Sequence, residues 1–154
     1  MKVRLDRFNN DWFHSGSKLK ILLWTLFSIA FIKTAFPWPI FIKKVLLQMF
    51  GCKIGKGFVI KPRVNIKYPW RLIIGDYVWL GEQVWIDNLG NVEIHNNVCI
   101  SQGAMLLTGN HDYRKSSFDL KVGEIILKSG VWIGAKSVVC PGVVCGENLS
   151  LIHI

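Results

Sequence analysis

His111 is the residue of this 154-residue chain best placed to do chemistry. It stands in Asn110-His111-Asp112-Tyr113, between an amide, an acid and an aromatic ring. An imidazole changes protonation near neutral pH, so it can take up and return a proton where other side chains cannot. The remaining histidines have less to recommend them. His14 lies in a basic leader, His95 holds a corner position where Gly or Asp would serve, and His153 is at the terminus. His111 differs because it sits at the root of the one interruption in a regular pattern. Asp112 either orients that imidazole or caps the loop backbone. Asp87 and Asn88, shortly before that interruption, read either as a corner-turn pair or as polar groups near the same edge.

The pattern is a count of six. Aliphatic residues fall at Ile74, Leu80 and Ile86, then at Ile94, Ile100 and Leu106. After an inserted loop at 107–126, the count resumes at Leu127, Ile133, Val139, Cys145 and Leu151. Small or apolar residues sit four places after many of these, among them Val78, Val98, Ala104 and Ser137. A period of six matches neither an α-helix nor an isolated strand. It matches a parallel β-helix in which each flat side takes six residues and turns the aliphatic inward. Glycine follows the aliphatic directly in Ile74-Gly75, Leu80-Gly81, Ile133-Gly134 and Cys145-Gly146, and is read as the residue that permits the tight corner. A regular wall gains nothing structural by extruding a long loop, so the insertion marks a binding face.

A hydrophobic fraction of 51% suits one solenoid with a continuous core and an appendage. We divide the chain into a basic, apolar helical extension at 1–50 and a β-helix at 51–154. The net charge of +9 is concentrated in the extension: residues 1–57 hold ten Lys or Arg against Asp6 and Asp11, whereas residues 58–154 hold nine against eight acids. The apolar run from Ile21 to Ile32, between Lys20 and Lys33, is shorter than the roughly 20 residues that span a bilayer. No small-residue cleavage site follows it, so a secretion signal is not expected. Pro37 and Pro39 then precede a second short helix over Ile40–Phe50. Residues 18–50 therefore either rest on a membrane surface, lysines toward acidic headgroups, or cap the open end of the solenoid, and the two readings are compatible. No recognition motif accompanies the charge, so nucleic acid is not expected as a partner. The four cysteines form no C-x-x-C pair, and Cys99 and Cys145 occupy register positions held elsewhere by Val or Ile. They read as buried, reduced thiols of a cytoplasmic protein, with the inner face of the membrane within reach.

Several stretches together carry a resemblance: Ile100-Ser101-Gln102-Gly103-Ala104, Thr108-Gly109-Asn110-His111-Asp112-Tyr113, Gly130-Val131-Trp132-Ile133-Gly134-Ala135 and Pro141-Gly142-Val143. With Phe50-Gly51-Cys52-Lys53-Ile54-Gly55-Lys56-Gly57 and Tyr68-Pro69-Trp70, they cover about residues 35–148. The chain resembles the hexapeptide-repeat acetyltransferases, in particular the sugar O-acetyltransferases of exopolysaccharide synthesis of the colanic acid type. That resemblance implies a left-handed parallel β-helix, a homotrimer with active sites between neighbouring solenoids, and acetyl-CoA as co-substrate with no metal. It implies that His111 is a general base acting on a sugar or glycan hydroxyl, with acetyl passing directly to the acceptor. Trp132 is placed against the pantetheine arm, with Gly134 and Ala135 allowing close backbone approach, and Asp87, Asn88 and Asp112 are acceptor-side candidates.

Serine and amino-sugar acetyltransferases share this coil grammar and remain alternatives. A γ-carbonic-anhydrase-like metal site needs three converging histidines, and only His95 and His111 lie in plausible coils. Family chains continue past the last coil, whereas here Gly146-Glu147-Asn148 is on pattern and the chain then ends abruptly with Leu149-Ser150-Leu151-Ile152-His153-Ile154. The final six residues resemble translated adapter sequence. A truncated C-terminus is therefore expected, with a weakened CoA site and a non-catalytic trimeric scaffold or membrane-associated module as the competing outcome.

Overall fold

The computed structural model describes residues 2–152, so His153 lies outside the described residues. The six-count appears as about five coils. Coil one holds β1 (Lys53–Ile54), β2 (Val59–Ile60) and β3 (Asn65–Ile66), and coil two holds β4 (Leu72–Ile74), β5 (Trp79–Leu80) and β6 (Trp85–Asp87). Coil three holds β7 (Val92–Ile94), β8 (Cys99–Ile100) and β9 (Met105–Leu107), and is followed by the hairpin β10 (Gly109–His111) and β11 (Leu120–Val122). β12 (Ile125–Leu127), β13 (Trp132–Ile133) and β14 (Val138–Val139) form coil four, and β15 (Val144–Cys145) and β16 (Ser150–Leu151) begin coil five. The strands stack in parallel into three faces. The first is β1-β4-β7-β12-β15, the second β2-β5-β8-β13-β16 and the third β3-β6-β9-β14.

Alternation within each strand turns one side chain inward, and the register places these in columns. Ile60, Leu80, Ile100 and Ile133 lie above one another on the second face, and Ile66, Ile86 and Leu106 on the third. All are buried, and each such side chain contributes about 1.5–3 kcal/mol of hydrophobic stabilisation. Coil one obeys the same rule as the later coils, although the count of six begins only at Ile74. The step from Ile66 to Ile74, like that from Ile86 to Ile94, is eight residues. The corner between the third and first faces carries extra residues, as a 3-10 turn at Pro69–Arg71 in coil one and as Asn88-Leu89-Gly90 in coil two.

The glycines after the aliphatics need a corrected explanation. The left-handed residue of a corner comes two places later, at Tyr77 (φ 57°), Gln83 (φ 59°) and Lys136 (φ 59°). A Cβ on Gly75 would lie 2.5 Å from Asn96 Oδ1, and one on Gly81 2.8 Å from Gln102 N. These glycines let one coil sit directly on the next; they do not supply the bend.

The leader closes the open end below coil one. Ser17 Oγ caps α1 (Lys18–Phe27) by accepting from Lys20 N, a π turn follows at Ser28–Ile32, and α2 (Ile40–Met49) starts after Pro39. Buried Trp24 donates its indole N–H to Ile66 O at 2.9 Å, and Leu46, Leu47 and Phe50 bury against the core. Residues before α1 run along the corner between the third and first faces, where Trp70 Nε1 donates to Ser15 O at 3.0 Å and Arg71 donates to His14 O. Among the described residues, no helix is long and apolar enough to cross a membrane.

Candidate active site

The insertion leaves the solenoid at that same corner. Thr108 fixes its root: its hydroxyl donates to Asp87 O (3.0 Å) and accepts from Gly90 N (2.8 Å), while its carbonyl accepts from Gly123 N (2.9 Å). A Cβ on Gly123 would meet Gly142 N at 2.7 Å, so only glycine fits beneath the next corner. Between these anchors β10 and β11 pair antiparallel, with His111 opposite Leu120. The histidine thus stands on a hydrogen-bonded strand of the hairpin.

Two aromatic rings enclose its imidazole. Phe118 stacks on it at 4.4 Å with planes 4° apart, and Phe8 from the N-terminal arm lies at 5.4 Å, tilted by 60°. Arg4 N donates to Ser116 O at 2.7 Å, which ties that arm to the hairpin tip. His111 Nδ1 lies 2.9 Å from Phe118 O. A carbonyl only accepts, so Nδ1 carries the proton, and the neutral imidazole is then the tautomer that presents the Nε2 lone pair, the form a general base requires. Phe118 itself adopts φ 52°, a left-handed conformation uncommon for a bulky residue, and its ring and its carbonyl both meet His111. Neither phenylalanine was identified from sequence.

Of the two readings of Asp112, the structure displays the cap. Its carboxylate accepts from Lys121 Nζ at 2.9 Å and from Arg114 N at 3.1 Å, and these donors hold its pKa below the usual carboxylate value. No hydrogen bond joins it to His111. Asn88 is fully buried at the corner below, its amide accepting from Tyr68 N (2.9 Å) and donating to Tyr68 O (2.7 Å), which leaves no surface for an acceptor. Asp87 remains accessible. Its Oδ1 pairs with Lys67 Nζ at 2.8 Å. It lines a cavity of about 270 Å³ between α1 and the third face, together with Lys33, Lys67 and Trp85. Thr108 N donates to Asp87 O at 3.2 Å, so Asp87 and the hairpin root share one corner.

Trp132, Gly134 and Ala135 lie elsewhere. Trp132 points outward from the second face, directly above Cys99 and two coils above Trp79, and its indole N–H donates to Ser101 Oγ at 2.8 Å. Ser101, Cys99, Trp79 and Lys61 line a groove of about 410 Å³ that descends below it. Gly134 does not border that groove: it is buried, and a Cβ there would meet Leu151 O at 2.8 Å, so it serves coil stacking. Ala135 is exposed. Because the hairpin leaves the corner between the third and first faces, the second face is on the opposite side of the solenoid. One chain therefore does not bring His111 and Trp132 together.

The cysteine expectation needs correction as well. Cys52 and Cys145 are buried, but Cys99 is half-exposed because Ile100 takes the inward position of β8, and Cys140 is exposed. Burial pushes the Cys52 thiol up to about 12. No cluster of three or more His, Cys, Asp or Glu that could hold a metal occurs among the described residues. His95 is instead 3.9 Å from Glu93.

No family model matches the chain. WcaF of Escherichia coli, named as a colanic acid biosynthesis acetyltransferase, is 37% identical over 140 residues, spanning 88% of this chain and 75% of WcaF. WcaF of Shigella flexneri aligns to the same extent. The chain belongs to the hexapeptide-repeat acetyltransferase family. Solved structures share the acetyltransferase's fold. A galactoside acetyltransferase crystallised with coenzyme A superposes with a TM-score of 0.74 at 21% identity, covering 86% of this chain and 67% of that one. The Vibrio cholerae acetyltransferase VCA0836, crystallised with acetyl-CoA, gives 0.71 at 18% identity, covering 86% and 71%.

Proposed function

We propose that this acetyltransferase moves an acetyl group from acetyl-CoA directly to a sugar hydroxyl during exopolysaccharide synthesis, with His111 as general base. The name and 37% identity of WcaF support the colanic-acid type of acceptor. The observation that carries the mechanism is the His111 Nδ1 to Phe118 O contact at 2.9 Å, which in the neutral imidazole selects the tautomer whose Nε2 accepts. A sugar hydroxyl is a poor nucleophile. Nε2 within hydrogen-bond reach takes its proton as the oxygen attacks, and the imidazolium then returns that proton to the departing sulfur. Acetyl-CoA supplies the acyl group as a thioester, whose sulfur leaves without an enzyme-bound intermediate.

The groove on the second face fits the donor. Its outward column of Val59, Trp79 and Cys99 offers apolar surface to a pantetheine arm, Trp132 stands above it, and Lys61 borders it for phosphate. That groove and His111 lie on opposite sides of one solenoid. The separation supports a head-to-tail ring, a homotrimer in our reading, in which the second face of one subunit meets the hairpin of its neighbour.

The test is acetyl transfer by His111→Ala, with acetyl-CoA and a sugar acceptor, followed by thiol release. We expect a loss of about 10²–10⁴-fold with an unchanged thermal shift on adding CoA. Equal rates in mutant and wild type would overturn the assignment. Sedimentation of the wild type tests the trimer.

A further inference from the structure

We infer that the outer face of α1 and α2 docks on an anionic lipid bilayer, lying in the interface plane. Both helices carry apolar residues on the outer face as well as on the inner one. α1 buries only Trp24, while Leu19, Leu22 and Leu26, at helical spacing, are 56–66% exposed. On α2 the inner side carries the buried Leu46 and Leu47, and Phe41, Val45 and Met49 are 51–76% exposed. The end of α1, its π turn and α2 border an apolar groove of about 280 Å³ lined by Phe27, Phe31 and residues of α2. A soluble monomer seldom leaves so continuous an apolar surface to water.

Charge selects the occupant. Residues 12–50 hold five Lys, of which only Lys43 is buried, and no Arg, Asp or Glu. Exposed Lys18 and Lys33 flank α1 and its π turn. A second copy seated face to face on this surface would bring two uncompensated positive leaders together. Acidic headgroups neutralise those charges while the acyl boundary takes the leucines and phenylalanines. Each helix has ten residues, about 15 Å long, so the pair lies on a bilayer and does not span it. This docking does not depend on the acetyl-transfer reading. If that reading also holds, the His111 hairpin leaves the solenoid about two coil spacings, roughly 10 Å, above the capped coil, within reach of glycans presented at a membrane surface.

The experiment is flotation of the full chain with vesicles of phosphatidylcholine alone or mixed with phosphatidylglycerol. Binding should require the anionic lipid and weaken with salt. It should fall about fivefold for Lys18→Gln, and be abolished in the double variant Leu26→Glu, Phe41→Glu. Circular dichroism and acetyl transfer to a soluble acceptor should match wild type in every variant, which separates this proposal from the catalytic one. Absence of binding, binding indifferent to lipid charge, or self-association that the double variant abolishes would overturn it.

Discussion

Phe118 holds His111 by two independent contacts: its ring lies parallel to the imidazole at 4.4 Å, and its carbonyl receives Nδ1–H at 2.9 Å. Both depend on the left-handed backbone at Phe118. Ring orientation and tautomer are therefore set by one residue, seven positions away and across a hairpin.

Phe118→Gly relaxes that backbone and removes the ring. We expect the coils to fold as before, with kcat lowered on the order of 10–100-fold and the thermal shift on adding CoA unchanged. Phe118→Leu, which keeps bulk without the stack, should fall between the two. Wild-type kcat in Phe118→Gly would show that the stacking is incidental.

Phe8 closes the other side of the imidazole, from an arm joined to the hairpin at Arg4 and Ser116. Phe8→Ala should leave the melting temperature within error, because the arm lies outside the buried core. Transfer to the sugar should fall roughly tenfold, while KM for acetyl-CoA stays constant. Steady-state kinetics with each substrate varied in turn separates these outcomes.

Acid should loosen the hairpin before the coils. Lys121 and the Arg114 N–H depress Asp112, and Ser117 and Lys115 depress Asp119. Carboxylates depressed in the folded state contribute stability that is complete above their unfolded value of about 3.9 and disappears as pH falls through the folded value. Amide exchange at Leu120–Val122 should therefore accelerate, relative to intrinsic rates, below roughly pH 4. Asp112→Asn should show faster exchange already at neutral pH and a flatter acid response.

Alkylation should sort the cysteines by environment. Cys140 is exposed and should label first near pH 8. Cys52 is buried with its thiol at about 12, and should label only after unfolding. Mass spectrometry of tryptic peptides reads the order, and early modification of Cys52 would contradict the packing of the capped end.

The core was legible because an inward aliphatic every six residues has no other simple explanation. Coil one escaped that count because its corner adds two residues, making the step from Ile66 to Ile74 eight. The glycines of Ile74-Gly75 and Leu80-Gly81 stand out in the sequence as corner residues, but the contact that requires them belongs to the coil above. His111 was legible as the histidine at the root of the interruption. Phe118 and Phe8 were not, because one depends on a left-handed dihedral and the other on a pairing between residues 4 and 116. Asn88 illustrates the converse: a polar residue beside a binding corner, whose amide is fully occupied by the Tyr68 backbone.

His111 and Trp132 lie on opposite sides of one solenoid, and in the proposed ring this has a genetic consequence. A subunit lacking the imidazole and one lacking the indole are each defective, yet their defects fall on different junctions. Any mixed ring of the two brings an intact hairpin against an intact second face at one junction and gathers both lesions at another. Two inactive alleles expressed together would then restore partial activity, whereas two substitutions in the same half-site would not complement.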